Sequence, residues 1–367
     1  MSTIPNIFVT TPIVYAVRDT YQILVPVREP CVMWVKIDGK CYYDDSNGIL
    51  RSACTTHKMT VPMEVLNRTG QYSVCWRTVP ERKPYFTVPG EEECYTSAFR
   101  PVVKSPVRIC HIADAHNRID LPVASGSYFG EELDLLILNG DIPNDSGSIE
   151  NFLNIHEIAA RLTRGEIPVV FSRGNHDMRG IFAEKLEEHT PTDGGKSYFT
   201  FRLGHLWGLV LDCAEDKVDN CKEYGFMNCC EDFRRRETEF IHSVIENKAN
   251  EYEADGIENR IVISHNPFSE TIRPPFDIEI ETYTEWCRLL KEFIKPQLIL
   301  CGHMHQAYVT YPGDERDHKG QPCPVFVASL PKKESYAGGA VELYTDHAVL
   351  RVTDQDKNVL LEETVPF

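Results

Sequence analysis

The sequence predicts an α/β protein with a small all-β unit in front, and three observations carry that prediction. The first 104 residues hold short runs rich in β-branched and aromatic residues, without a useful helical period. From Ser105 onward, short apolar runs alternate with stretches whose apolar residues recur at helical spacing. Five of those runs lead directly into Asp, Asn or His. In an open α/β sheet, functional groups collect beyond the carboxyl ends of the strands.

Within residues 1–104, strands are expected at 21–27, 31–37, 40–43, 57–61 and 71–79. Asp38-Gly39 separates two of them and is a hairpin signal. Tyr72, Val74 and Trp76 alternate with Gln71, Ser73 and Cys75, so one face is apolar. The unit resembles an immunoglobulin or fibronectin sandwich. Residues 80–101, rich in Glu and Pro, are read as its last loops and a linker. A second domain is then expected over 105–367.

In that second domain, residues 148–164 read as a helix. Ser148 can cap it, Ile149, Phe152, Leu153, Ile155, Ala159 and Leu162 share a face, and Gly165 can end it. Residues 233–248 and 283–295 read the same way, with Pro296 stopping the latter. Short strands return at 324–329, 340–344, 348–353 and 359–365. Two insertions are candidates for a cleft rim. Residues 213–231 carry Cys213, Cys221, Cys229 and Cys230, read as thiols with a small zinc knot as the alternative. Residues 266–281 hold Arg273-Pro274-Pro275-Phe276, either a substrate-contacting loop or a stiff connector.

The formal charge of −17 over 367 residues argues against sequence-independent binding to a nucleic-acid backbone. No apolar stretch is long enough to span a bilayer, and the first twenty residues lack the pattern of a signal peptide. The 13 cysteines are therefore expected as reduced thiols in a cytoplasmic protein.

The chemistry sits in the five run ends. Leu135-Leu136-Ile137-Leu138 reads as a strand buried on both faces and leads through Asn139-Gly140 into Asp141. The run 107–112 leads into Asp114-Ala115-His116, and 167–171 into Arg173-Gly174-Asn175-His176-Asp177. The run 261–263 leads to His265, and 298–300 to Gly302-His303-Met304-His305. Oxygen and imidazole donors suit divalent zinc, manganese or iron, and no thiolate belongs to the set. Residues two apart in an extended segment point to one side, so Asp114 with His116, and His303 with His305, are expected to converge. The donors are too many for one ion and suit two ions sharing a carboxylate.

At these residues the chain resembles the calcineurin-like metallophosphoesterase family, whose pattern is Asp-x-His, Gly-Asp, Gly-Asn-His-Asp/Glu, a lone His, then Gly-His-x-His. All five blocks occur in that order between residues 114 and 305. The resemblance implies two mixed sheets face to face with helices outside, and some members, including purple acid phosphatases, carry a β domain in front. It implies that Asp114, His116 and His305 hold a first ion, that Asn175, His265 and His303 hold a second, and that Asp141 bridges them. His176 would stay off the ions and face the leaving group. Several members place an Asp three residues after the bridging Asp. Here Asn144 stands there, which leaves Asn144, Asp145 and Asp177 as candidate supports for His176.

The implied activity is hydrolysis of a small phosphomonoester or phosphodiester. Two ions of manganese, iron or zinc, divalent or trivalent and roughly 3.5 to 4 Å apart, can lower the pKa of a shared water toward neutrality. That hydroxide would attack phosphorus in line with the leaving oxygen. Arg173 would assist or serve only as a salt-bridge residue, and Asn117 would bind a phosphate oxygen or only cap its turn. A nuclease of the same family is the alternative, which the acidic balance disfavours. A non-catalytic scaffold on the same fold would show eroded ligands, and here every position is filled. The remaining histidines, His57 and His111 among them, are expected to be structural.

Overall fold

The computed structural model describes residues 4–270 and 273–367. Two β-sheets face each other and share one strand. In the first sheet, Val107–Ile112, Leu135–Asn139 and Pro168–Ser172 run parallel, with Leu135–Asn139 central. Such a strand is buried on both faces, which explains its unbroken apolar run. In the second sheet, Leu206–Leu211, Asn259–Ser264 and Leu298–Cys301 are likewise parallel neighbours. Val325–Lys332 joins the two. Its first residues pair with Leu298–Cys301 and its last with Ser335–Leu343, which continues onto Val107–Ile112.

Three apolar layers follow from the alternation of side chains along these strands. Ile109, Ile137, Ile261, Ile263, Leu300 and Phe326 fill the space between the sheets. Ile112, Leu136 and Leu138 pack outward against Phe152, Ile155 and Ala159 of the helix Ile149–Thr163. Leu209, Val262 and Ile299 pack outward against Ile241 of the helix Cys230–Glu246 and Trp286 of the helix Ile280–Leu289. The expected face-to-face sandwich with helices outside is therefore present.

Helix boundaries show what sets them. Ile149–Thr163 begins after Ser148, although the Ser148 side chain makes no capping bond, and ends at Arg164 in the left-handed region. Cys230–Glu246 starts three residues before its own periodicity suggests. The Asp219 carboxylate caps it from outside, accepting from the Cys230 N–H at 2.7 Å and the Glu231 N–H at 3.2 Å. Ile280–Leu289 passes into a π turn over Leu290–Ile294 before Pro296.

Strand is the main regular structure of the first 104 residues, and all five expected strands lie at or within a residue of their places. The strands Ile13–Val17, Asp45–Ser46, Ile49–Leu50 and Glu93–Ala98, the last inside the expected linker, and the helix Met63–Thr69 were not legible. One sheet of this unit, Cys31–Ile37 with Lys40–Tyr43, Gln71–Thr78 and Glu93–Ala98, stands by itself. The other is an extension of the first large sheet, because Ile13–Val17 pairs in parallel with Pro168–Ser172. Apolar packing is continuous as well, since Val14, Ile23, Met33 and Trp76 belong to the same core as Ile137. Residue 104 thus marks a change in secondary structure rather than a gap between cores. The expectation that all cysteines are reduced is corrected at one pair: Cys75 and Cys94, opposite each other on adjacent strands, form a disulfide.

Candidate metal centre

All five blocks emerge at the carboxyl ends of parallel strands. Three come from the first sheet (Asp114 and His116, Asp141, Asn175) and two from the second (His265, then His303 and His305). Main-chain bonds lock the turns together. The Asp114 N–H donates to the Gly140 carbonyl at 3.1 Å, His116 N–H to Asp141 O at 3.0 Å, and Gly302 N–H to His265 O at 2.9 Å. The glycines are needed for this approach. A Cβ on Gly140 would stand 2.5 Å from the Gly174 nitrogen, and one on Gly174 would stand 2.3 Å from Asp141 Oδ1.

The paired ligands converge, but not by the extended backbone expected of them. Asp114 (φ 54°), His116 (47°), His303 (64°) and His305 (51°) all lie in the left-handed region, as do Asn117 (63°) and Asp141 (54°). Each such residue without a glycine costs about 1 kcal/mol or more. That six of them cluster at one site indicates strain kept for the geometry it gives.

The donor atoms meet closely. His116 Nε2 and His305 Nε2 are 3.1 Å apart, and His305 Nε2 is 3.2 Å from Asp114 Oδ1. His265 Nε2 lies 3.2 Å from Asp141 Oδ2. Asn175 Oδ1 is 3.2 Å from His303 Nδ1. The donor atoms of Asp114, His116 and His305 fall within 4.8 Å of one another, as do those of Asp141, His265 and His303. Asp141 and His176 also group with His116, so Asp141, a member of the second trio, comes close to one residue of the first.

Two features of these residues fit metal ions. Asp114 Oδ1 and His265 Nε2 are buried without a hydrogen-bond partner while facing the cluster. The electrostatics also call for cations. Burial alone would lower the His265 pKa, yet Asp141 and Asp114 outweigh it and push the imidazole up to about 10. Both carboxyls are held low by His265 in spite of their burial. Supporting contacts fix the ligands. His265 Nδ1 faces the Asn139 carbonyl at 2.6 Å, which leaves Nε2 for the centre. Asp114 Oδ2 accepts from the His303 N–H at 2.8 Å and from the Ser329 hydroxyl.

His176 sits beside the trios. Its Nε2 is 3.9 Å from Asp141 Oδ2, and its Nδ1 is 2.7 Å from the main-chain oxygen of Asn144. The support is thus a backbone carbonyl rather than a carboxylate. Asp145 Oδ1 instead accepts from the Gly147 N–H, and Asp177 Oδ2 from the N–H groups of Asp141 (2.9 Å) and Gly174 (2.7 Å). Burial, reinforced by Asp141, raises the Asp177 carboxyl to about 7.

The structure does not bring Arg173 to the cluster. Its Nε pairs with buried Asp212 at 2.6 Å and its guanidinium lies over the Phe233 ring. Asn117 is exposed, and its Oδ1 accepts from the Asn144 N–H and the Asn154 amide, so it ties loops together. Sequence reasoning missed Ser329 and Arg179. The guanidinium of Arg179 reaches His176 Nε2 at 2.9 Å while gripping Glu215 through Nε and Nη2 at 3.0 and 3.1 Å. Neither residue belongs to a block, and only the fold brings them in.

The two insertions meet at the rim, where Lys217 lies between the rings of Tyr224 and Phe276. Among the described residues, the four cysteines of 213–231 form no metal-ligating group. His111 contacts the Asn139 amide, and His57 contacts Cys31 and Asp44 and forms with Asp44 and Cys54 a group that could hold a metal ion.

Comparisons with known proteins agree with the fold and the order of the blocks. Two solved structures are similar over nearly the whole chain. A purple acid phosphatase from yellow lupin (Lupinus luteus) seeds has a TM-score of 0.60 at 11% identity, covering 97% of this chain and 74% of that one. PhoD has a TM-score of 0.56 at 11% identity, covering 100% of this chain and 90% of that one. At such identity the likeness is one of fold. No curated protein sequence matches. The family model of the calcineurin-like phosphoesterases matches residues 107–307, more than half of the chain, and spans every block. The chain therefore belongs to the calcineurin-like phosphoesterase family and is a metal-dependent hydrolase.

Proposed function

We propose that the chain hydrolyses a small phosphomonoester or phosphodiester with two ions of manganese, iron or zinc. Asp114, His116 and His305 would hold one, Asn175, His265 and His303 the other, and Asp141 would be shared. The observation that carries this reading is a pair of buried atoms that make no hydrogen bond, Asp114 Oδ1 and His265 Nε2, 3.8 Å apart, with Asp141 Oδ2 3.2 Å from the latter.

When bound, such ions polarise phosphoryl oxygens and make water nucleophilic at neutral pH. The chain's own residues do the rest. The fixed tautomer of His265 and the hydrogen bonds on Asp114 Oδ2 hold the donors in place without reorganisation. His176, anchored through Nδ1 on Asn144 O, presents Nε2 toward the centre, where it can pass a proton to the leaving oxygen. The centre opens to solvent at His305, whose side chain is half exposed, and at His176, a quarter exposed. The net charge of −17 supports a small ester over a nucleic-acid substrate.

The test is hydrolysis of an aryl phosphate monoester and an aryl phosphate diester by the full chain. Chelation should abolish the activity, and manganese, iron or zinc should restore it. Elemental analysis after saturation should give two ions per chain. Full activity in metal-free protein would overturn the reading, and clearly fewer than two ions would overturn its two-ion form.

A further inference from the structure

Arg179 joins the catalytic turn to the 213–231 insertion, and its contacts are too specific for a surface cation. Its Nε and Nη2 grip both oxygens of Glu215, a residue only 1% exposed. Nη2 also donates to the Tyr224 hydroxyl at 3.0 Å, and Tyr224 in turn donates to Asp216 at 3.0 Å. The loop carrying Glu215 is itself pinned: fully buried Arg234 donates through Nε to the Cys213 carbonyl at 2.9 Å and through Nη2 to the Glu215 carbonyl. These bonds occupy Nε and Nη2 and fix the plane of the guanidinium. Nη1 is left at the edge of the centre, 2.9 Å from His176 Nε2. A guanidinium held by a carboxylate on one side, with one hydrogen of Nη1 on His176 and a second still available, is suited to a second anion.

We propose that Arg179 Nη1 is the binding point for a non-bridging phosphoryl oxygen of the substrate, and that the 213–231 insertion sets that point through Glu215 and Tyr224. The proposal rests on the phosphoester reading above. The nearest cationic side chain named by sequence reasoning, Arg173, is committed to Asp212. Arg179 is therefore the residue that would meet phosphate oxygens turned away from the ions.

The experiment uses the full metal-loaded chain and inorganic phosphate as the probe, with binding read by calorimetry and turnover of an aryl phosphate monoester read beside it. Arg179→Ala should weaken phosphate binding roughly tenfold to a hundredfold, the loss expected of a charged hydrogen bond, and raise KM in proportion. Arg179→Lys, which keeps the charge but not the fork, should recover part of both. Tyr224→Phe should raise KM by a few-fold with metal content and thermal midpoint unchanged. Should Arg179→Ala fail to fold, the Lys and Tyr224→Phe variants carry the test. Unchanged phosphate affinity and KM with a lowered kcat in the Lys variant would overturn the proposal, because Arg179 would then act on His176 alone. A wild-type protein that binds no phosphate would overturn the underlying reading together with it.

Discussion

His116 and His305 are 189 residues apart in the chain, yet their Nε2 atoms stand 3.1 Å from each other. Two imidazoles at that distance, with Asp114 Oδ1 3.2 Å from one of them, direct lone pairs at a common point. An ion there should stabilise the fold by mass action, about 2.7 kcal/mol at a hundredfold excess over Kd. Manganese or zinc is therefore expected to raise the thermal midpoint of the wild type, and to raise it less in His305→Ala. Equal rises in a calorimetric scan would remove His305 from the ligand set.

Asp141 is expected to be the most damaging ligand to lose. Its Oδ2 faces His265, its Oδ1 accepts from the His176 N–H at 2.8 Å, and it groups with donors of both trios. Asp141→Ala would remove the charge shared between two cations as well as a tie to the catalytic turn. Metal analysis should find both ions depleted, whereas His305→Ala should deplete one. Retention of two ions at near-normal turnover would show that Asp141 does not bridge.

Gly174 tests the close packing of the turns. Alanine there would place a Cβ 2.3 Å from Asp141 Oδ1 and 2.5 Å from Asp141 N. Backbone and a fixed carboxylate must move, at a cost of roughly 1 to 3 kcal/mol. Gly174→Ala should lose metal affinity more than it loses fold stability, because the displaced atoms belong to the ligand shell. Urea unfolding with and without metal separates the two. A variant equally destabilised in both conditions, with metal affinity intact, would contradict this.

Acid sensitivity should come partly from a histidine far from the metals. His156 is fully buried on the inner face of the helix Ile149–Thr163, and burial lowers it from 6.5 to about 3. The unfolded chain therefore binds more protons than the folded one between those values. Stability is full above about pH 6.5 and falls as pH drops toward 3, by up to about 1.4 kcal/mol for each pH unit. His156→Gln keeps a polar partner for the Tyr15 hydroxyl, 3.5 Å away, and cannot titrate. Its unfolding free energy should fall less steeply than the wild type's between pH 6.5 and 4.5, as measured by urea titration. Parallel slopes would refute the assignment.

What could be read from the sequence was what is local in the chain. A parallel strand buried on both faces writes itself as an apolar run, and a donor placed just past its end needs no knowledge of its neighbours, so Asp114, Asp141, Asn175, His265, His303 and His305 were legible one by one as candidate donors. Their left-handed backbone was not, because ordinary residues adopt it only when the surrounding turns enforce it. Arg179 and Ser329 were invisible for a related reason: each gains its role from a partner far along the chain, Glu215 for the one and Asp114 for the other. The early start of Cys230–Glu246 likewise depends on Asp219, which lies outside the helix. The β pattern of residues 1–104 was plain, but pairing of Ile13–Val17 with Pro168–Ser172 is a long-range choice that no local pattern encodes.

The geometry of His176 leads to a prediction that separates chemistry from metal binding. Its Nδ1 is engaged by Asn144 O at 2.7 Å, and its Nε2 faces the centre 3.9 Å from Asp141 Oδ2. With one ring nitrogen anchored on a carbonyl, the imidazole can deliver a proton only through the other. His176→Ala should therefore keep both ions and lose about 10² to 10⁴ in turnover, the usual range for general acid catalysis. The size of the loss should depend on the leaving group. A nitrophenolate departs as a stable anion and needs little protonation, so the variant should be least impaired with it. An alkyl alkoxide needs a proton as the bond breaks, so the loss should be greatest there. If His176 instead only steadied the ligand shell, the variant would lose metal affinity, excess metal would rescue it, and good and poor leaving groups would suffer alike. Comparing kcat for nitrophenyl and alkyl esters at saturating manganese decides between the two, because only proton donation makes the defect follow the leaving group.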